Sequence, residues 1–104
     1  MKKKMAVSHF HGVHEDDGLK PSQIMLLDAF QTIGERGKNY GDIKENHERI
    51  AALWSTILGK PVTPVQVIMC MMALKLARLM ETPDHHDSAL DIAGYAACLR
   101  ECQE

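Results

Sequence analysis

Between Pro64 and Met80 the chain carries almost no polar side chains: from Val65 to Met80 they are only Gln66, Lys75 and Arg78. The segment opens on Thr63-Pro64-Val65-Gln66, which places an N-cap threonine, a proline at the first helical position and a glutamine at the third. That is a helix start signal. A helix apolar nearly all round is one buried on every side. The whole sequence has 104 residues, near the lower end of what builds a self-sufficient core. Such a chain can scarcely surround a central helix, so a homodimer or higher homo-oligomer is expected to complete the packing.

The rest of the chain fits an all-α domain around that helix. Apolar residues make up 45% and aromatics only 5%, with seven methionines, a mixture that favours helix over sheet. Pro21 begins a first helix whose stripe is Ile24, Leu27, Ala29, Phe30 and Ile33, and Gly34 and Gly37 are expected to end it. A basic, turn-rich loop, Arg36-Gly37-Lys38-Asn39-Tyr40-Gly41, is expected next. Asp42 is suited to cap a second helix, with Glu45 as the return half of a capping box. That helix runs through Ile50, Leu53, Trp54, Ile57 and Leu58 to Gly59. Thr82-Pro83-Asp84 breaks the third helix, and a fourth spans His86 to Cys102. Residues 1–20 show no apolar period and read as an N-terminal arm; residues 21–104 read as a single all-α domain.

Charge and cysteine usage exclude several classes. A formal charge of −2 gives no global pull toward nucleic-acid polymers or anionic lipid. No uncharged apolar run reaches 18 residues, and Met1-Lys2-Lys3-Lys4-Met5 is not followed by the apolar stretch of a secretion signal, so neither a membrane nor export is expected. Cys70, Cys98 and Cys102 are odd in number without CxxC spacing. That suits a reducing cytoplasm, with Cys98 and Cys102 as small apolar fillers on one helix face.

Several groups of residues have the chemistry of a site. Glu45 and Glu48 on the second helix, and Asp87 and Asp91 on the fourth, each set two carboxylates one turn apart. Together they would suit Mg²⁺, which favours carboxylates, water and phosphate oxygens; Asp87 alone would also complement a helix N-terminus. Lys75 and Arg78 interrupt the apolar third helix, and a cation there must meet an anion or reach the surface. The anion is either a helix carboxylate or a ligand phosphate. Arg36, Lys38 and the loop amides suit phosphate, with Tyr40 placed to stack on a base. Tyr95 continues the Asp91 face of the fourth helix, and His85 is placed to orient a phosphate or shuttle a proton. His9, His11 and His14 lie in the arm with no Cys or acidic framework to fix a tetrahedral metal. His85-His86-Asp87 has the dipeptide of HD-type phosphohydrolases without their further ligands.

The strings Lys38-Asn39-Tyr40-Gly41-Asp42, Glu45-Asn46 through Ala51-Ala52-Leu53-Trp54, Met71-Met72-Ala73-Leu74-Lys75-Leu76-Ala77-Arg78, and His85-His86-Asp87-Ser88 through Asp91-Ile92-Ala93-Gly94-Tyr95-Ala96 resemble a small family of uncharacterised phage and prophage proteins. The likeness covers about residues 24 to 99 and implies relatives rather than an activity. More distantly, Glu45 and Glu48, with Asp91-Ile92-Ala93-Gly94-Tyr95, resemble the MazG-like all-α nucleoside triphosphate pyrophosphohydrolases. That group binds Mg²⁺ between carboxylate pairs and works as dimers or tetramers. The likeness implies a four-helix bundle completed by oligomerisation. On an enzymatic reading Glu48, Asp91 and Lys75 would serve catalysis, with Glu45, Glu48, Asp87 and Asp91 on the metal. Arg36, Lys38, Tyr40, Lys75, Arg78, His85 and Tyr95 would hold the nucleotide. The chain departs from that pattern at Lys44 and Asn46, where a further Glu is usual, and in the four-residue spacing of Asp87 and Asp91. Three functions follow: a Mg²⁺-dependent nucleotide pyrophosphohydrolase, a non-catalytic binder that sequesters a host cyclic or modified nucleotide signal, and a purely structural or interaction module.

Overall fold

The structure, a computed structural model, describes residues 18–103. Most of the expected arm, including His9, His11 and His14, lies outside the described residues. Four helices follow in order: α1 Pro21–Tyr40, α2 Ile43–Leu58, α3 Pro64–Glu81 and α4 His86–Cys102. Among the described residues there is no strand, and the all-α expectation holds.

Local chemistry sets the helix starts. Lys20 N–H donates to Gln23 Oε1 at 2.8 Å, with Pro21 in the first turn. Asp42 Oδ2 accepts from Glu45 N–H at 3.0 Å; only this half of the expected box is made. Thr63 and Gln66 make both halves, Gln66 N–H to Thr63 Oγ1 at 3.1 Å and Thr63 N–H to Gln66 Oε1 at 2.9 Å. Each such bond satisfies a backbone N–H that a helix start leaves without an intrahelical partner. Ser55 fastens the α2–α3 connection: its Oγ accepts from Val62 N–H at 2.9 Å and donates back to Ala51 O at 2.7 Å.

Two expectations need correction. α1 does not end at Gly34 or Gly37, and residues 36–40 are its last turns rather than a loop. Glycine inside a helix costs only about 1 kcal/mol relative to alanine, which the surrounding helix-compatible residues outweigh. The stop is Gly41, at φ 79° and ψ −151°, whose N–H donates to Gly37 O at 3.0 Å. Nor does the single chain bury α3 on every side. Val67 and Ile68 are fully buried, but Met69, Leu74, Leu76 and Met80 are exposed. α3 packs chiefly against α4 and less against α2, while α1 packs against α4. Three helices therefore leave one arc of α3 uncovered.

Candidate functional site

α1, α2, α3 and α4 converge on a cleft of about 540 Å³, within the range of small-molecule sites, roughly 300–1,000 Å³. Its walls are mainly apolar: Ile33 from α1, Ile50 and Trp54 from α2, Val67 and Met71 from α3, Leu90 from α4. Into this lining each helix adds polar groups. α1 brings Arg36 and Tyr40, α2 brings Asn46 and His47, α3 brings Lys75, and α4 brings Asp91 and Tyr95. The extension of α1 past Gly37 is what carries Tyr40 to the cleft. Arg49 Nη2 then donates to Tyr40 O at 3.4 Å, tying that last turn to α2.

One ion pair crosses the cleft wall. Lys75 Nζ lies 3.1 Å from Asp91 Oδ2, with the side chains 20% and 33% exposed. The partner that an otherwise apolar α3 demands for its lysine is thus the α4 carboxylate, not a ligand alone. His47 is 8% exposed, and its Nδ1 lies 2.8 Å from Ile43 O. A carbonyl only accepts, so Nδ1 carries a proton, and in the neutral ring Nε2 is left as an acceptor. Cys98 borders the same cleft. Burial pushes its thiol above the ordinary range, Cys102 and Glu101 add to the rise, and the Arg36 charge opposes it.

Five sequence-predicted site residues, Arg36, Tyr40, Lys75, Asp91 and Tyr95, meet at this cleft. Lys38, Arg78, His85, Glu45, Glu48 and Asp87 do not border it. Glu45, Glu48 and Asp87 are exposed, and among the described residues no three His, Cys, Asp or Glu side chains are grouped to hold a metal. Of the four carboxylates only Asp91 lines the cleft, where it is paired with Lys75. His85 caps α4 instead: Ser88 N–H donates to its Nδ1 at 3.2 Å, and Ser88 Oγ lies 2.8 Å from the same nitrogen. Asn46, His47 and Trp54 were missed. The signal for His47 was a polar ring four residues from Ile43 and three from Ile50, on the apolar face of α2.

Among the described residues no helix is long and apolar enough to cross a membrane. The chain is 51% identical over 71 residues to the Gene 55 protein of Mycobacterium phage L5, covering 67% of this chain and 46% of that one. It is 42% identical over 84 residues to the Gene 55 protein of Mycobacterium phage D29, covering 80% and 56%. The chain thus spans about half the length of the curated relatives it matches. No solved structure matches it. Residues 24–103 match the family model described as domain of unknown function DUF6378, in accord with the resemblance to a small phage protein family. With that match covering helices α1 to α4 almost entirely, the chain belongs to the DUF6378 family.

Proposed function

We propose that the cleft binds a nucleotide-class ligand, an aromatic ring system carrying phosphate. The observation that carries this is the meeting of Tyr40, Trp54 and Tyr95 with Arg36 and Lys75 around one mainly apolar space of about 540 Å³. Flat aromatic surfaces suit a base, which offers a π-face whatever its identity. Guanidinium and ammonium groups suit phosphate oxygens. Asn46 supplies donor and acceptor groups and His47 an acceptor, enough to distinguish the edge of one base from another. The reading is of a non-catalytic binder, of the kind that would sequester a host cyclic or modified nucleotide. The MazG-like bundle and its completion by a homodimer or higher homo-oligomer belong to the same reading. The pyrophosphohydrolase alternative would have Glu45, Glu48, Asp87 and Asp91 hold Mg²⁺.

Thermal shift followed by calorimetry tests this with nucleoside mono-, di- and triphosphates and cyclic dinucleotides, each with and without Mg²⁺. A ligand at 100 times its Kd adds about 2.7 kcal/mol, a shift of several degrees for a domain of this size. Arg36→Ala should weaken binding roughly ten- to a hundredfold, the worth of a hydrogen bond to a charged group, whereas Lys38→Ala, outside the cleft, should not. Mg²⁺-dependent pyrophosphate release that Asp91→Asn abolishes would shift the reading to the enzyme. No shift with any nucleotide would sink both and leave the interaction module.

A further inference from the structure

At three positions the cleft lining is fixed as donor or acceptor. His47, nearly buried, borders the cleft with its Nδ1–H already spent on Ile43 O at 2.8 Å. In the neutral ring Nε2 can then only accept. Among the described residues nothing hydrogen-bonds Nε2, nor is it sealed from solvent. Asp91 is a second acceptor, because a carboxylate accepts through both oxygens and donates through neither. Its Oδ2 is 3.1 Å from Lys75 Nζ, its Oδ1 has no partner among the described residues, and the side chain keeps 33% exposure at the cleft wall. Asn46 has the opposite sense. Its Oδ1 accepts from Arg49 Nη2 at 3.4 Å, which leaves the amide nitrogen, a donor, for the cleft that Asn46 lines. The hydroxyls of Thr32, Tyr40 and Tyr95 can donate or accept and so select nothing. Arg36 is exposed and makes no hydrogen bond or ion pair among the described residues, so it stays available to phosphate.

We infer that the cleft selects its ligand by the base, and that the base is guanine, read by Asn46 as donor and by His47 Nε2 and Asp91 as acceptors. The inference rests on the nucleotide reading and names the base within it. A lining with one fixed donor and two fixed acceptors is complementary to an edge with one acceptor and two donors. Guanine presents that set on its Watson–Crick edge: O6 accepts, while N1–H and the exocyclic N2 amino group donate. Adenine offers one donor beside one acceptor there, and cytosine and uracil each offer one donor with two acceptors. Any of these three would leave His47 Nε2 or Asp91 without a donor, and a closed site discriminates against a ligand that leaves its polar groups unpaired. Of the two acceptors Asp91 is the charged one, so its hydrogen bond is the stronger; the amino group of guanine is assigned to it. Lys75 acts as a positioning residue that holds the carboxylate at the wall. The apolar and aromatic lining takes the faces of the base, which carry no such information.

Calorimetry on the full chain tests this with guanosine, inosine, adenosine, cytidine and uridine nucleotides. All five are compared in one phosphate form, whichever of the monophosphate, triphosphate or cyclic dinucleotide gives the largest thermal shift. Guanosine should bind tightest. Inosine lacks only the exocyclic amino group and should bind roughly ten- to a hundredfold more weakly, the worth of a hydrogen bond to a charged group. Asp91→Asn should erase most of that preference. The same variant should bind xanthosine, which carries a carbonyl oxygen in place of the amino group, more tightly than the wild type does. A gain of binding cannot come from a damaged fold. His47→Phe keeps a ring without an acceptor and should weaken guanosine binding roughly three- to tenfold, the worth of a neutral hydrogen bond; His47→Gln, which restores an acceptor, should recover part of the loss. Equal binding of guanosine and inosine, or tighter binding of another base, overturns guanine while the nucleotide reading stands. No gain on xanthosine in Asp91→Asn overturns the part given to Asp91. Binding of no nucleotide at all overturns the nucleotide reading and this inference together, a result distinct from the other two.

Discussion

Gly41 decides where α1 stops. Its φ of 79° with ψ −151° lies in a region that is essentially glycine-only. Gly34 and Gly37 are helical, and an added Cβ at either would meet nothing within 4 Å. Gly41→Ala should therefore destabilise the domain by about 1–3 kcal/mol, whereas Gly34→Ala should stabilise it by roughly 0.4–1 kcal/mol. Urea unfolding of the two variants checks the opposite signs. Cys98 supports a second prediction. Its thiol pKa is raised, mainly by burial, so above the ordinary thiol range the unfolded chain has lost a proton that the fold retains. The unfolded state then binds fewer protons, and stability falls as pH rises through that range. Between pH 8 and 9.5 the wild type should lose more stability than Cys98→Ala, and equal slopes would refute the assignment. At this scale the sequence showed which residue types were unusual but not which way they faced. Arg36 and Lys38 read alike in the chain; two positions on a helix send them to different faces.

Among the elements, α3 and α4 are joined by the Lys75–Asp91 pair. An exposed ion pair contributes about 0–1 kcal/mol, and breaking a fully buried one costs about 3–5 kcal/mol. At 20% and 33% exposure, Asp91→Asn or Lys75→Met should each cost roughly 1–2 kcal/mol, between those two limits. The double variant should cost clearly less than the sum, since either change alone removes the pair. Strict additivity in a thermal or urea cycle would show that the pair is not coupled. The helix starts were legible because caps are local: Thr63 with Gln66, Asp42 and Pro21 act within a few residues of themselves. The end of α1 was not, since several glycines competed and only contacts made beyond the helix, such as Arg49 to Tyr40 O, decide among them. The cap that His85 makes by accepting from Ser88 N–H is as local as the others.

For the whole molecule, the homo-oligomer proposed above would make stability depend on protein concentration. If a second copy covers α3, the unfolding midpoint rises with concentration by mass action, and a differential scan at about 5 and 200 µM should separate by several degrees. A midpoint that stays fixed would mark a self-sufficient monomer. From the sequence alone came the all-α class, the order of four helices, most of their boundaries, the family resemblance and the excess of hydrocarbon on α3. These rest on periodicity, capping and composition, which act over one to three turns and are written in consecutive residues. Tertiary structure decided which polar groups share a cleft: Arg36, Tyr40, Lys75, Asp91 and Tyr95 came together with His47 and Trp54, while Glu45, Glu48 and Asp87 stayed outside. Spacing within one helix fixes only relative direction. Which face turns inward is set by how all four helices compete to bury their apolar stripes, and that competition is not local to any segment of the chain.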